Sequence, residues 1–146
     1  MRCATRSIPY ICIEALTLTS LQVGAGIQIP PNSTRILHSW GLKTALERRS
    51  VIPHSLLWRR WESGAIIGRA RLNPESMQLY GSPYYVTHRA HLHDVLHERT
   101  KELGVPIYLK KRVNNYEVER GEVTFDDGEV VMKDLVIAAD GVFPLC

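Results

Sequence analysis

Asp140 and Gly141 close an unbroken apolar run, Leu135 to Ala139. In an open α/β sheet the ligand crevice lies off the carboxyl ends of the strands. A carboxylate there can accept hydrogen bonds from ribose hydroxyls or an ordered water, and a glycine lets backbone come close to a ligand. The same pair also reads as an ordinary Asp-Gly turn. Glu14 ends another such run, Ile8 to Ile13, in the same manner. Gly24 and Gly26 stand two apart, but a phosphate-binding fingerprint would place a third glycine at position 29, which is Ile29, and would open a helix at once. A tight turn or close packing is expected of them instead. His93 and His97 have the i, i+4 spacing of a metal pair. No glutamate follows His93, so the zinc-protease pattern fails; the four histidines at 88, 91, 93 and 97 are read as a surface helix face, and no metal is expected. No Ser-His-Asp or Cys-His set is present to supply a nucleophile, and the catalytic side chain is left unassigned.

The elements that must position these residues follow from periodicity and punctuation. Ile8 to Glu14 reads as a short strand. Pro30-Pro31-Asn32-Ser33 starts a helix, with Asn32 or Ser33 as cap, that reaches Trp40. Gly41 breaks it, and Leu42 to Arg49 form a second helical piece. Leu57 to Trp61 and Ala65 to Arg71 flank a turn at Ser63-Gly64 and predict a hairpin. A loop through Asn73-Pro74 and Gly81 leads to β character at Tyr84-Tyr85-Val86. His88 to Leu103 is a helix with Leu92, Val95, Leu96 and Leu103 on one face, Thr87 as cap and Gly104 as stop. Ile107 to Val113 is a strand. Tyr116 to Glu119, Glu122 to Phe125 and Glu129 to Met132 alternate strictly and predict an antiparallel meander turning at Gly121 and Asp127-Gly128. The run at Leu135 lacks alternation, as a parallel strand covered on both faces would.

The 146 residues are one domain's worth of chain, 45% hydrophobic and 23% charged, as in ordinary globular proteins. The net charge of +3 is spread over short clusters with no basic stripe, which argues against nucleic acid as partner. Three cysteines at scattered positions give neither a disulfide framework nor a metal knuckle, so a reducing, cytoplasmic setting is expected. Pro9 and Glu14 interrupt the only candidate secretory signal, and no apolar stretch approaches the ~20 residues of a membrane span.

Three motifs in order now carry a resemblance. Gly24-Ala-Gly-Ile-Gln-Ile-Pro-Pro-Asn32, the helix Arg89-Ala-His-Leu-His-Asp-Val-Leu96 and the ending Ala139-Asp-Gly141 resemble the single-component FAD-dependent aromatic hydroxylases, above all the salicylate hydroxylase-like monooxygenases of fungi. The likeness covers residues 22 to 141 and extends to residue 8. It implies an α/β fold: a partial FAD-binding, Rossmann-like sheet whose crossover is an antiparallel meander, with part of a β-rich substrate-side region. Residues 8–50 and 88–141 would form the cofactor side and 51–87 the substrate side of one partial domain, 1–146.

The resemblance also implies roles. Glu14 matches the acid that binds the adenosine ribose, and Arg89 the arginine that contacts the flavin or its pyrophosphate. Asp140 and Gly141 match the motif beside the pyrophosphate and ribitol, and Gly24, Gly26, Gln28 and Asn32 the segment passing the flavin. FAD is the implied cofactor, NADPH or NADH the reductant, and an aromatic or polyketide-like small molecule the substrate, hydroxylated with dioxygen. Two departures stand out. The Gly-x-Gly-x-x-Gly segment and the later Gly-Asp segment of the family are missing, so the chain is expected to be an internal piece of such an enzyme. The rival expectation is a non-catalytic remnant or interaction module.

Overall fold

The computed structural model describes residues 12–14 and 24–139. They fall into two units, one holding residues 21–103 and the other 1–20 with 104–146.

The first unit is built on a three-stranded antiparallel sheet. Its strands are β2 (Gly26–Ile29), β3 (Ser50–Val51) and β6 (Tyr85–His88), with β6 in the middle. Residues directly opposed in such a sheet share a face. Ile29 pairs with Tyr85 and Ile27 with Thr87 on one face; Gly26 pairs with His88 and Gln28 with Val86 on the other. The first face is apolar and meets helices α1 (Pro31–Ser39), α2 (Lys43–Arg49) and α4 (Arg89–Glu102). Ile29, Leu37, Leu42, Leu46, Tyr85 and Val95 form the core, flanked by Ala45, Leu92 and Leu96. The long helix is also tied to α2 by Arg49, which meets Glu98 at 3.1 Å and Asp94 at 3.7 Å.

The predicted hairpin is present as β4 (Ser55–Arg59) and β5 (Ile66–Arg71), with Gly64 in the left-handed conformation at its turn. The segment expected as a loop contains a helix, α3 (Glu75–Tyr80). Its signals were in the sequence: Pro74 before an acidic first turn, and Gly81 left-handed at φ +66° as the stop.

Three local expectations are corrected. Helix α1 begins earlier than a cap at Asn32 or Ser33 allows. Pro30 is the extended residue before it, its carbonyl takes the first helical bond from Thr34 at 3.0 Å, and no side chain caps it. Thr87 does not cap α4. It is turned inward and its hydroxyl donates to the Arg49 carbonyl at 2.7 Å, while His88 Nδ1 accepts from the Ala90 N–H at 3.2 Å. Leu103, assigned to the apolar face, lies past the last turn of α4 and is exposed.

In the second unit, β1 (Cys12–Glu14) pairs in parallel with β7 (Ile107–Leu109). The strand expected to run from Ile107 to Val113 is cut at Lys110, whose φ is +59°. Strands β8 (Val113–Glu117), β9 (Glu122–Phe125) and β10 (Val130–Met132) form the predicted meander, with a 3-10 turn at Val118–Arg120. Val123 and Phe125 are its buried residues. The apolar run Leu135 to Ala139 is not a strand, and Leu135 and Ile137 are 76% and 80% exposed. A strand covered on both faces needs strands beside it. Among the described residues none pairs with this one.

Candidate functional site

Three of the residues singled out from sequence, Gly24, Gly26 and Arg89, come together beside the polar face of the three-stranded sheet. Strand β6 runs directly into helix α4, so His88 ends one and Arg89 begins the other. Gly26 is the register partner of His88. One residue back, the Ala25 carbonyl accepts the Arg89 backbone N–H at 3.1 Å. The Arg89 side chain lies along Gly24 so closely that a Cβ on Gly24 would stand 2.9 Å from the Arg89 Cβ and 3.2 Å from its Cδ. Close packing is therefore the reason for Gly24. Gly26 meets nothing within 4 Å of where a Cβ would be, and its face of β2 is exposed. The Arg89 side chain is exposed and its guanidinium has no hydrogen bond or ion pair among the described residues. A permanent cation thus lies beside exposed backbone, an arrangement suited to an oxyanion.

The same face carries a polar pair of which the sequence singled out only Gln28. The Tyr84 hydroxyl donates to Gln28 Oε1. Tyr84 is held by buried Asn73, which accepts the Tyr84 N–H at 3.1 Å and donates to the carbonyls of Tyr84 and Pro53 at 3.0 and 2.8 Å. Thr34 adds a further tie, donating from α1 to the Pro83 carbonyl at 2.8 Å. A buried asparagine satisfied by three backbone groups fixes a loop. Nothing in the spacing of Asn73 and Tyr84 marks this, because the contact spans eleven residues and joins two loops.

Behind the sheet, Tyr85 is fully buried with its hydroxyl 3.3 Å from His38 Nε2 and 3.5 Å from Glu47 Oε1. Burial, with Glu47 beside it, pushes the phenol up to about 12. Burial also holds His38 below the ordinary imidazole range, with Lys43 acting in the same direction. On α4 the rings of His93 and His97 stack at 6.0 Å, and His97 Nε2 is enclosed with no partner among the described residues, so this end of the helix face is not simply surface. Burial lowers its proton affinity too. Among the described residues no three His, Cys, Asp or Glu side chains come together to hold a metal ion.

Glu14 lies in the other unit at the end of β1, in register with Leu109. Asp140 and Gly141 lie outside the described residues.

No family model matches the chain. Over 123 residues, however, it is 41% identical to the 3-amino-4-hydroxybenzoate 2-monooxygenase PtmB3 of Streptomyces platensis, a match covering 82% of this chain and 30% of that protein. It is 35% identical over 124 residues to the FAD-dependent monooxygenase OpS4 of Beauveria bassiana, covering 84% and 29%. The figure for the 6-hydroxynicotinate 3-monooxygenase of Bordetella bronchiseptica is 32% over 124 residues, covering 83% and 32%. Among solved structures, the tetrameric form of 2-methyl-3-hydroxypyridine-5-carboxylic acid oxygenase superposes with a TM-score of 0.74 at 27% identity, over 90% of this chain and 32% of that one. The relatives of this chain are FAD-dependent monooxygenases, each matched over part of its length. Klebsiella pneumoniae HpxO, solved with FAD and uric acid, is a further structural relative, with a TM-score of 0.71 at 26% identity over 88% and 32%. The chain spans about 30% of the length of the curated relatives it matches.

Proposed function

We propose that the protein acts in an FAD-dependent monooxygenase that hydroxylates a small ring acid with NADH or NADPH and dioxygen, in the cytoplasm where that reductant is held. The observation that carries this reading is Arg89, exposed and unpaired among the described residues, against the backbone of Gly24 to Gly26. The residues fit the cofactor. A Cβ on Gly24 would fill the space the Arg89 stem occupies, and a guanidinium can hold a phosphate with two parallel hydrogen bonds at any working pH. In this reading Arg89 anchors the pyrophosphate or flavin edge, and Gly26 leaves the strand face clear for a planar ring. For Glu14 a role at the ribose hydroxyls, and for Asp140 and Gly141 one at the pyrophosphate and ribitol, rest on the sequence resemblance alone. FAD, when bound, supplies the redox and oxygen chemistry. The substrate class follows the names of the relatives, which include a hydroxybenzoate, a hydroxynicotinate and a hydroxypyridine carboxylic acid. A ring hydroxyl makes the carbon beside it electron-rich, and the carboxylate gives a handle for orientation.

The test is an absorbance scan of the purified chain after incubation with FAD and removal of the excess. Retained flavin bands that disappear in Arg89→Met support the reading, and NAD(P)H oxidation is then assayed. A colourless wild-type chain overturns it. The second reading, a non-catalytic remnant, would then stand, favoured by the exposed apolar run from Leu135 to Ile137.

A further inference from the structure

Helices α1 and α3 enclose an open cleft of about 370 Å³ lined by Pro31, Asn32, Arg35 and Tyr80. Ligand sites for small molecules run roughly from 300 to 1,000 Å³, so a single substituted ring fits. The Asn32, Arg35 and Tyr80 side chains have no hydrogen bond or ion pair among the described residues. All three are exposed, and Tyr80 shows 62% of its surface. Their chemistry is complementary: a forked cation, an amide donor and an aromatic ring beside the flat face of Pro31.

We infer that this cleft is a subsite for an aromatic carboxylate, with Arg35 as the residue that selects the acid. The inference rests on the ring-acid reading of the function given above. A carboxylate matches the guanidinium fork in a bidentate pair, Asn32 can donate to a ring hydroxyl, and the ring lies against Tyr80 and Pro31. A nucleotide phosphate is the poorer match, because only one cation lines the cleft and the ring of Tyr80 occupies the flank where further donors would be needed. Neither arginine nor tyrosine contributes to the core, so both are free to serve a ligand.

The experiment is a ligand-observed NMR titration of the full 146-residue chain, without FAD, using 3-hydroxybenzoate and its uncharged amide, 3-hydroxybenzamide. The wild-type chain should bind the acid more tightly than the amide. Arg35→Gln should weaken the acid by about tenfold or more, as loss of a charged hydrogen-bonding pair does, and leave the amide unchanged. Tyr80→Ala should weaken both. Arg35→Lys keeps the charge without the fork and should fall between the wild type and Arg35→Gln. Unaltered acid binding by Arg35→Gln, or no binding of the acid by the wild type, overturns the inference. Circular dichroism of each variant establishes that it folds. Failure here is separable from failure of the functional reading. Flavin retention with Arg35-independent acid binding removes only the cleft, and Arg35-dependent acid binding by a chain that holds no flavin removes only the cofactor reading.

Discussion

Gly24 and Gly26 differ by two positions and by everything around them. A methyl on Gly24 would stand 2.9 Å from the Arg89 Cβ, inside van der Waals contact with a stem that the start of a helix holds in place. Gly24→Ala should cost about 1–3 kcal/mol, the usual range for overpacking, and should weaken flavin retention by moving Arg89. Gly26→Ala meets nothing within 4 Å and should leave the melting temperature unchanged while still crowding a planar ligand. Paired thermal melts and flavin retention assays separate the two. A second residue-scale expectation concerns pH. Tyr85 keeps its proton up to about 12 in the folded chain, whereas an unfolded chain releases it near 10. Its stabilisation is therefore present below pH 10 and lost as pH rises towards 12. His38 has the opposite sign: its folded value is depressed, so its stabilisation is present above about 6.5 and lost on acidification through the folded value. Urea midpoints across pH should fall at both ends. Tyr85→Phe should flatten only the alkaline limb, at a cost of about 1 kcal/mol for the lost hydroxyl.

Among the elements, the meander depends on one glycine far more than on the other. Gly121 is left-handed at φ +61°, and a Cβ there would stand 2.2 Å from the Lys133 carbonyl oxygen, which is backbone and cannot rotate away. The Lys133 N–H in turn donates to the Gly121 carbonyl at 2.9 Å. Gly128 is also left-handed, at φ +82°, but faces open space. Gly121→Ala should unpair β10 from β9 and lose amide-exchange protection at Val131, whereas Gly128→Ala should cost about 1–2 kcal/mol of backbone strain and keep the pairing. Both turns were legible in the sequence, because strict alternation on either side leaves a glycine little other work. The hairpin and the helix at 89–102 were legible for similar local reasons, as was the strand expected over 8–14, of which 12–14 are among the described residues. Helix α3 was missed because its six residues are too few to show a period, although Pro74 and Gly81 bracket it. In the candidate site, Arg89 and the Gly24–Gly26 stretch were legible through their motifs. The Asn73–Tyr84–Gln28 chain was not, since it joins residues whose spacing along the chain repeats nothing. The cap of α4 was misplaced for a long-range reason. Thr87 has the right chemistry to cap α4, but its hydroxyl is taken by a carbonyl 38 residues away.

At the scale of the whole chain, the two units expose apolar side chains of a kind that folded proteins usually cover. In one, Trp61, Ile66 and Ile67 of the hairpin region are 88%, 55% and 63% exposed; in the other, Leu135 and Ile137 exceed three quarters. Scattered exposed leucines are ordinary, but a run of five apolar residues that no strand among the described residues covers is an invitation to aggregate. The run at 135–139 has the composition of a central strand, and no strand among the described residues pairs with it. The isolated chain should therefore bind a hydrophobic dye such as ANS and associate at micromolar concentration. Leu135→Lys with Ile137→Lys should reduce both effects without lowering the melting temperature, because neither side chain contributes to packing. Light scattering and dye fluorescence on the two proteins decide the matter. If the double variant melts several degrees lower than the wild type, the run is packed in solution and acts as the buried strand that its sequence suggests.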